Sequence, residues 1–130
     1  MKYPIIIFLI MIFMHIVDDY YLQGILASMK QKKWWKQNAP DNKYRNDYIA
    51  ALIAHSFSWS FLICSPWTYL ALTTGIINQY EILPIVFINT IIHAIVDNAK
   101  ANKLIINLVI DQTIHLIQII ITFIIFYLSI

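Results

Sequence analysis

ILPIVFINTIIHAIVDNAK, residues 82–100, begins as an apolar segment suited to lipid and ends in histidine and charged side chains. His93, Asp97 and Lys100 follow one another at offsets of four and three, and residues spaced in this way share one face of an α-helix. A charged residue at the centre of a membrane helix costs roughly 2.5–3.5 kcal/mol on insertion. We therefore expect this face to meet other polar side chains or water inside a helical bundle.

The composition of the whole chain favours a membrane protein. Of its 130 residues, 60% are hydrophobic and only two are glycine, and a soluble domain of this length would need far more polar surface. A hydrocarbon core of about 30 Å takes roughly 20 helical residues. Four stretches are long enough, about 4–22, 48–74, 82–100 and 104–128. The sequence thus predicts an all-α polytopic membrane protein, with residues 1–130 forming a single transmembrane domain.

The positive charges predict how the chain crosses the membrane, because basic residues concentrate in cytoplasmic loops. Eight of the nine Lys and Arg residues fall in the loop 24–47 or beside the turn 101–103, and only Lys2 lies on the opposite side. We expect the basic loops in the cytoplasm and both termini outside, in a protein of a bacterial cytoplasmic membrane.

The loop 24–47 also has the composition of a short amphipathic helix that lies in the membrane interface. It combines Trp34 and Trp35 with Lys30 and further lysines. Aromatic side chains of this kind favour headgroup depth, and lysines favour anionic lipid. Two interpretations stay open at this point: an anchor that only sets topology, or a headgroup-recognition element above a site.

Polar stripes recur on the other predicted spans. The first span carries His15, Asp19 and Gln23; the third carries Asn89, His93, Asp97 and Lys100; the fourth carries Asn107, Asp111, His115 and Gln118. In each stripe the aspartate is nearer the cytoplasm and the histidine lies about 6 Å deeper, at 1.5 Å per residue. His55 lies at a matching depth in the second span, so all four histidines can meet in one layer. Asp18 points about 100° away from the first stripe and is expected to contact solvent or headgroups.

These side chains are typical ligands of a transition metal. The predicted metal ligands are His15, Asp19, His55, His93, Asp97, Asp111 and His115. Imidazole suits zinc or iron, and carboxylate extends the set to manganese, so we expect one or two divalent ions, with zinc favoured. Gln23 is expected to orient a ligand. Asp19 or Asp97 is the candidate general base, and Lys100 the candidate stabiliser of developing negative charge.

Several motifs also resemble a known family. HIVDDYYLQ at 15–23 is similar to H-x3-D-[FY]-x-L-Q, His93–Lys100 to H-x3-D-x2-K, and Asp111–His115 to D-Q-x2-H. Together they resemble an uncharacterised bacterial and phage membrane family, a domain of unknown function that is itself similar to membrane-bound metal-dependent hydrolases. The resemblance implies that Gln112 belongs to the site beside the residues already named.

Three functions follow as hypotheses. The first is a metal-dependent hydrolase that acts on a lipid or lipid-linked substrate near the cytoplasmic leaflet. The second is a proton or metal-ion transporter or channel, although the stretches 5–12, 70–72 and 119–127 are almost wholly apolar. The third is a small interaction protein, such as a phage-encoded membrane factor. The expected partners are membrane lipids, and no binding of nucleic acid is expected. The chain could also form a homodimer.

Overall fold

A computed structural model describes residues 4–75 and 77–130 and confirms the all-α architecture, since these residues contain no strand. Lys2, the basic residue assigned to the opposite side, lies outside the described residues. The helices are α1 (Pro4–Val17) with a π-helical turn (Asp18–Leu22), α2 (Leu26–Met29), α3 (Lys32–Asn38), α4 (Asp47–Thr74), α5 (Gln79–Ala101) and α6 (Leu108–Leu128), with a 3₁₀ turn at Asn42–Tyr44.

Four helices among the described residues are long and apolar enough to span a membrane, as predicted. Their outer faces carry large apolar side chains, among them Leu83, Phe87 and Leu128, which are 66%, 67% and 78% exposed. A soluble protein rarely exposes contiguous apolar patches of this extent. The surface is therefore that of a polytopic membrane protein.

The fourth span begins later than predicted. The helix starts at Leu108 and not at residue 104, because the side chain of Asn107 caps it by accepting from the backbone N–H of Ile110 at 2.9 Å. Leu104, in the preceding turn, has a φ of 55°, which no α-helix allows. Asn107 therefore belongs to a helix cap and not to the polar stripe.

An apolar core fills one end of the bundle. Trp67 is fully buried, its ring stacks on Phe126 with centroids 5.2 Å apart, and its Nε1–H donates to the sulfur of Met11 at 3.1 Å. The apolar core comprises Ile7, Met11, Trp59, Ile63, Cys64, Trp67, Ala71, Ile77, Ile82, Val86, Ile119 and Phe126. Burial of such side chains is what holds this end of the four long helices together.

Asn89 joins α5 to α6 between the apolar core and the histidines. Its amide donates to Thr122 Oγ1 at 2.9 Å, and its side-chain oxygen accepts from Gln118 Nε2 at 2.8 Å. All three side chains are buried. These contacts are interhelical hydrogen bonds of the kind that link membrane helices.

The loop 24–47 contains two short helices instead of the single interfacial helix predicted. Asn102, in the turn after α5, holds this loop by two bonds to its backbone. The Asn102 amide donates to the carbonyl of Lys30 at 2.9 Å, and its oxygen accepts from the N–H of Lys32 at 2.7 Å. Both basic segments therefore lie at the same end of the bundle.

The π-helical turn after α1 changes which side chains face inward. The N–H of Gln23 bonds the carbonyl of Asp18, five residues earlier, at 3.1 Å, which is the wider π spacing. As a result the neighbouring Asp18 and Asp19 are both buried, at 1% and 8% exposed. The expectation that Asp18 contacts solvent or headgroups was wrong, because it assumed a regular α-helix.

Candidate metal centre

Three of the four histidines lie around Trp59, a fully buried residue of α4, and the fourth, His55, lies beside His93. The indole ring stacks on His93 with centroids 4.3 Å apart and lies 5.4 Å from His115. His93 and His115 stack on each other at 4.0 Å, and His55 lies 5.1 Å from His93. The helical stripes thus meet in one buried cluster, although each comes from a different span.

Asp19, His55 and His93 form one set of converging donor atoms. His55 Nε2 lies 3.2 Å from His93 Nε2 and 3.3 Å from Asp19 Oδ1. His93 Nε2 lies 4.0 Å from the same carboxylate oxygen. Three different helical segments therefore place one nitrogen or oxygen each around a common point.

His93, Asp97 and His115 form a second set that shares His93 with the first. His115 Nε2 lies 3.5 Å from Asp97 Oδ1, and His93 Nε2 lies 3.8 Å from Asp97 Oδ2. The two sets are also adjacent, since His55 Nε2 lies 3.4 Å from that same Asp97 oxygen. All of these side chains are buried.

Either set could hold a metal ion. Two donors bound tetrahedrally at about 2.0–2.1 Å lie roughly 3.3 Å apart, close to the separations found here. Within residues 4–75 and 77–130, Asp19 Oδ1 and His115 Nε2 are buried without a hydrogen-bond partner. An unsatisfied buried polar atom is costly. An ion in the first set would satisfy Asp19 Oδ1, and an ion in the second would satisfy His115 Nε2.

His15 differs from the other three histidines because both of its nitrogens are engaged. The Gln112 amide donates to Asp19 and Asp111 at 3.1 Å each, which leaves its oxygen to accept from His15 Nε2 at 3.1 Å. Trp59 Nε1, a donor only, bonds His15 Nδ1 at 2.8 Å. His15 therefore has no lone pair left for a metal in this arrangement, contrary to its predicted role. Gln112 contacts His15, Asp19 and Asp111 and so lies within the cluster.

Asp18 supports the site from behind His55. Ser58 Oγ donates to Asp18 Oδ1 at 2.6 Å, and Asp18 Oδ2 lies 3.3 Å from His55 Nδ1. Carboxylates commonly hold the second nitrogen of a metal-bound histidine in this way. Sequence reasoning missed this residue, and its only signal was the pair of adjacent aspartates within one span.

Lys30 also enters the site, although it was predicted to face lipid headgroups. Its side chain is 7% exposed, and Nζ donates to Asp97 Oδ2 at 2.6 Å. The partners are 67 residues apart in sequence, so no helical periodicity relates them. Lys30 therefore does not face the lipid interface; it is buried and offsets one negative charge of the cluster.

Lys100 and Asp111 form a second ion pair at the edge of the cluster. Lys100 Nζ contacts Asp111 Oδ2, and the lysine side chain is 28% exposed whereas the aspartate is fully buried. Asp111 Oδ1 lies 3.6 Å from His115 Nε2. Asp111 belongs to neither set of converging donors, so the structure groups it with His115 and Lys100 beside the candidate centre.

The buried charges of the cluster do not cancel. Four aspartates are buried, and two lysines are paired with them; the aspartates are Asp18, Asp19, Asp97 and Asp111, and the lysines Lys30 and Lys100. With neutral imidazoles the ionised cluster carries a formal charge of two negative. Buried charge of this kind needs compensation, which one divalent cation or two imidazolium groups would supply.

Three predicted residues lie away from the donor atoms. Gln23 donates to the backbone carbonyl of Asp19 in its own segment, not to a histidine. Trp34 packs edge-to-face on Trp35 at 5.0 Å, and Trp35 donates to the carbonyl of Met29 at 2.6 Å. These side chains shape the π turn and the loop, respectively.

Comparison with known proteins finds no matching family model, no similar curated protein and no similar solved structure. The resemblance to a hydrolase-like membrane family therefore stays a prediction from motifs.

Proposed function

We propose that the chain is a membrane-embedded, metal-dependent hydrolase that acts on a lipid or lipid-linked substrate. The observation that carries this proposal is the excess of four buried aspartates over two paired lysines, beside imidazole donors at ligand separations. Ionisable residues are costly in a membrane interior and are by default candidates for function. Polar contacts that only join helices contribute about 0.6 kcal/mol each, too little to explain so many buried charges.

The proposed centre holds one ion at a time. His93 Nε2 has a single lone pair, so the two donor sets that share His93 are alternatives and not two filled sites. The ion would be held either by Asp19, His55 and His93 or by His93, Asp97 and His115. Mixed imidazole and carboxylate ligands suit zinc best, with manganese and iron as alternatives.

The proposed chemistry is attack of water on an ester, amide or phosphate ester. A divalent ion of this kind makes hydroxide available near neutral pH. The carboxylate of Asp19 or Asp97 that is not bound to the ion would accept the proton. Lys30 and Lys100 would stabilise negative charge that develops on the substrate.

A groove between α1 and α6 supports a lipid as substrate. Its volume is about 550 Å³, and Ile12, Ile16 and Leu116 form its apolar part. His15 and Gln112 lie at its polar part, and Gln112 in turn contacts the carboxylates of the cluster. An acyl or isoprenoid chain could lie along the apolar part while its polar end approaches the cluster from the side.

The proposed site lies toward the cytoplasmic leaflet, with both termini outside. The support is the positive-inside rule, together with the contact by which Asn102 joins the two basic segments at one end of the bundle. Lys30 extends from that same basic loop into the cluster.

Transport is the weaker proposal because the apolar core occupies the opposite end of the bundle. Trp67, Ile63 and Phe126 are fully buried there, and a path for ions needs polar steps. A purely structural interaction protein would not need donor atoms that are left without partners. It would also tolerate glutamine at the central histidines.

Metal content is the first test. Protein purified in detergent is loaded with zinc, manganese or iron, washed, and measured by elemental mass spectrometry. Wild type is expected to retain about one equivalent, His93→Gln none, and the matched control His15→Gln about one. Retention by His93→Gln, or no metal in wild type after loading, would overturn the metal centre.

Hydrolysis is tested next with vesicles of bacterial lipid extract, whose products are identified by mass spectrometry. Wild type is expected to release a polar or acyl product that His93→Gln and Asp111→Ala do not release. Equal release by all three proteins would overturn the hydrolase. Metal binding without a product would support the ion site but not the hydrolase. Flux measurements in liposomes would then test transport.

A further inference from the structure

A second polar feature lies in the loop 24–47, outside the buried cluster. A hollow of about 520 Å³ opens between α3, the 3₁₀ turn and the start of α4. Its volume falls within the roughly 300–1,000 Å³ of small-molecule sites. Lys32, Lys36 and Arg45 line it, and all three are exposed.

The charge of this hollow is not balanced by the protein. Across residues 4–75 and 77–130, no carboxylate forms an ion pair with Lys32, Lys36 or Arg45. The one acidic residue in the lining, Asp41, lies 3.6 Å from Lys43 and accepts from its backbone N–H at 3.0 Å. Three cations that lack a carboxylate partner around one cavity favour the binding of an anion.

Aromatic side chains indicate that the anion belongs to a lipid. Trp35 and Tyr48 are half-buried and also line the hollow, and such rings favour the level of membrane headgroups. Lys32 Nζ lies 4.8 Å from the centre of the Tyr48 ring, which holds its charge beside the cavity. Tyr48 is the second residue of α4, so the hollow lies at the end of a membrane-spanning helix.

We propose that this hollow binds the phosphate of an anionic phospholipid headgroup through Lys32, Lys36 and Arg45. The ammonium and guanidinium groups supply charged hydrogen bonds to phosphate oxygens, and arginine can do so with two parallel bonds. The site is separate from the metal centre and needs no ion, so it does not depend on the proposed hydrolase.

The test measures lipid binding by native mass spectrometry of the detergent-purified protein with phosphatidylglycerol or phosphatidylcholine. Lys36→Gln/Arg45→Gln is compared with Lys33→Gln/Lys103→Gln, which removes the same net charge from exposed residues outside the hollow. We expect the affinity for phosphatidylglycerol to fall about tenfold or more in the first variant and less than twofold in the control. Phosphatidylcholine binding should change little in either protein.

An equal loss in both variants, or no loss in either, would overturn the proposal, because the first points to general surface charge and the second to no site. Inorganic phosphate is the competing ligand. If it binds wild type as tightly as phosphatidylglycerol does, the hollow recognises a soluble phosphate and the lipid assignment fails. Thermal unfolding of each variant shows that a loss of lipid is not a loss of fold.

Discussion

Two buried tryptophans of α4 make the same two kinds of contact with different partners. Trp67 stacks on Phe126 and donates its N–H to the sulfur of Met11. Trp59 stacks on His93 and donates its N–H to His15 Nδ1. At the first position the indole adds packing energy to an apolar core. At the second position the indole fixes the tautomer of His15. One helix therefore contributes packing at one end of the bundle and fixes the protonation pattern of a histidine at the other.

The largest expected effect is on stability at the apolar end. Trp67→Ala should lower the free energy of unfolding by about 3–5 kcal/mol, because it removes a fully buried aromatic ring. Thermal unfolding in detergent measures the loss, and Trp34→Ala in the half-exposed loop is the control with a small effect. The metal content of the folded fraction should remain that of wild type. Loss of metal with unchanged stability would contradict the division between the two ends.

Lys30→Met should cost about 3 kcal/mol in the metal-free protein, because it leaves the buried carboxylate of Asp97 without its partner. Lys33→Met, an exposed residue of the same loop, should change the unfolding temperature little.

The double variant Lys30→Met/Asp97→Leu sharpens this result. Replacing both charges by apolar groups of similar volume is often neutral or stabilising, so its stability should return toward that of wild type while metal binding falls. A double variant as unstable as the sum of the two single variants would show that the two charges are not coupled and would contradict this expectation.

Trp59→Phe should cost about 1–3 kcal/mol, since it leaves the buried His15 Nδ1 without a donor. Trp67→Phe is the matched control, because it removes only a weak bond to sulfur. The difference in unfolding temperature between these variants isolates the indole–imidazole bond. Equal shifts would mean that ring size alone accounts for both positions.

The smallest expected effect is at the boundary between the two ends. Asn89→Ala should lower stability by roughly 0.6–1.7 kcal/mol, the range of hydrogen bonds between membrane helices. Metal content should be unchanged, because Asn89 bonds Thr122 and Gln118 and no donor of the cluster. A drop in metal content would extend the candidate centre toward the apolar core.

Helical periodicity was enough to predict the spans and the convergence of His55, His93 and His115. Those residues lie on regular α-helix, where a spacing of four residues always returns to the same face. The charge asymmetry likewise predicted that the two basic segments share one end of the bundle.

The remaining details depend on departures from regularity or on distant partners. Asp18 turns inward only because a π turn shifts the register after Val17. Lys30 reaches Asp97 because a loop folds over the end of the bundle. His15 has no nitrogen free for a metal because Gln112, 97 residues away, and Trp59 engage both of them. No local pattern carries such information.

The contact between Lys30 and Asp97 also sets the order in which parts of the cluster can assemble during synthesis. Lys30 leaves the ribosome 67 residues before its partner, so a lysine that is buried in the finished protein must wait in water or among headgroups while α4 and most of α5 are made. The loop can close only after the third span has been inserted, and His15 meets Gln112 later still. The cluster can therefore form completely only after the start of α6 has been made.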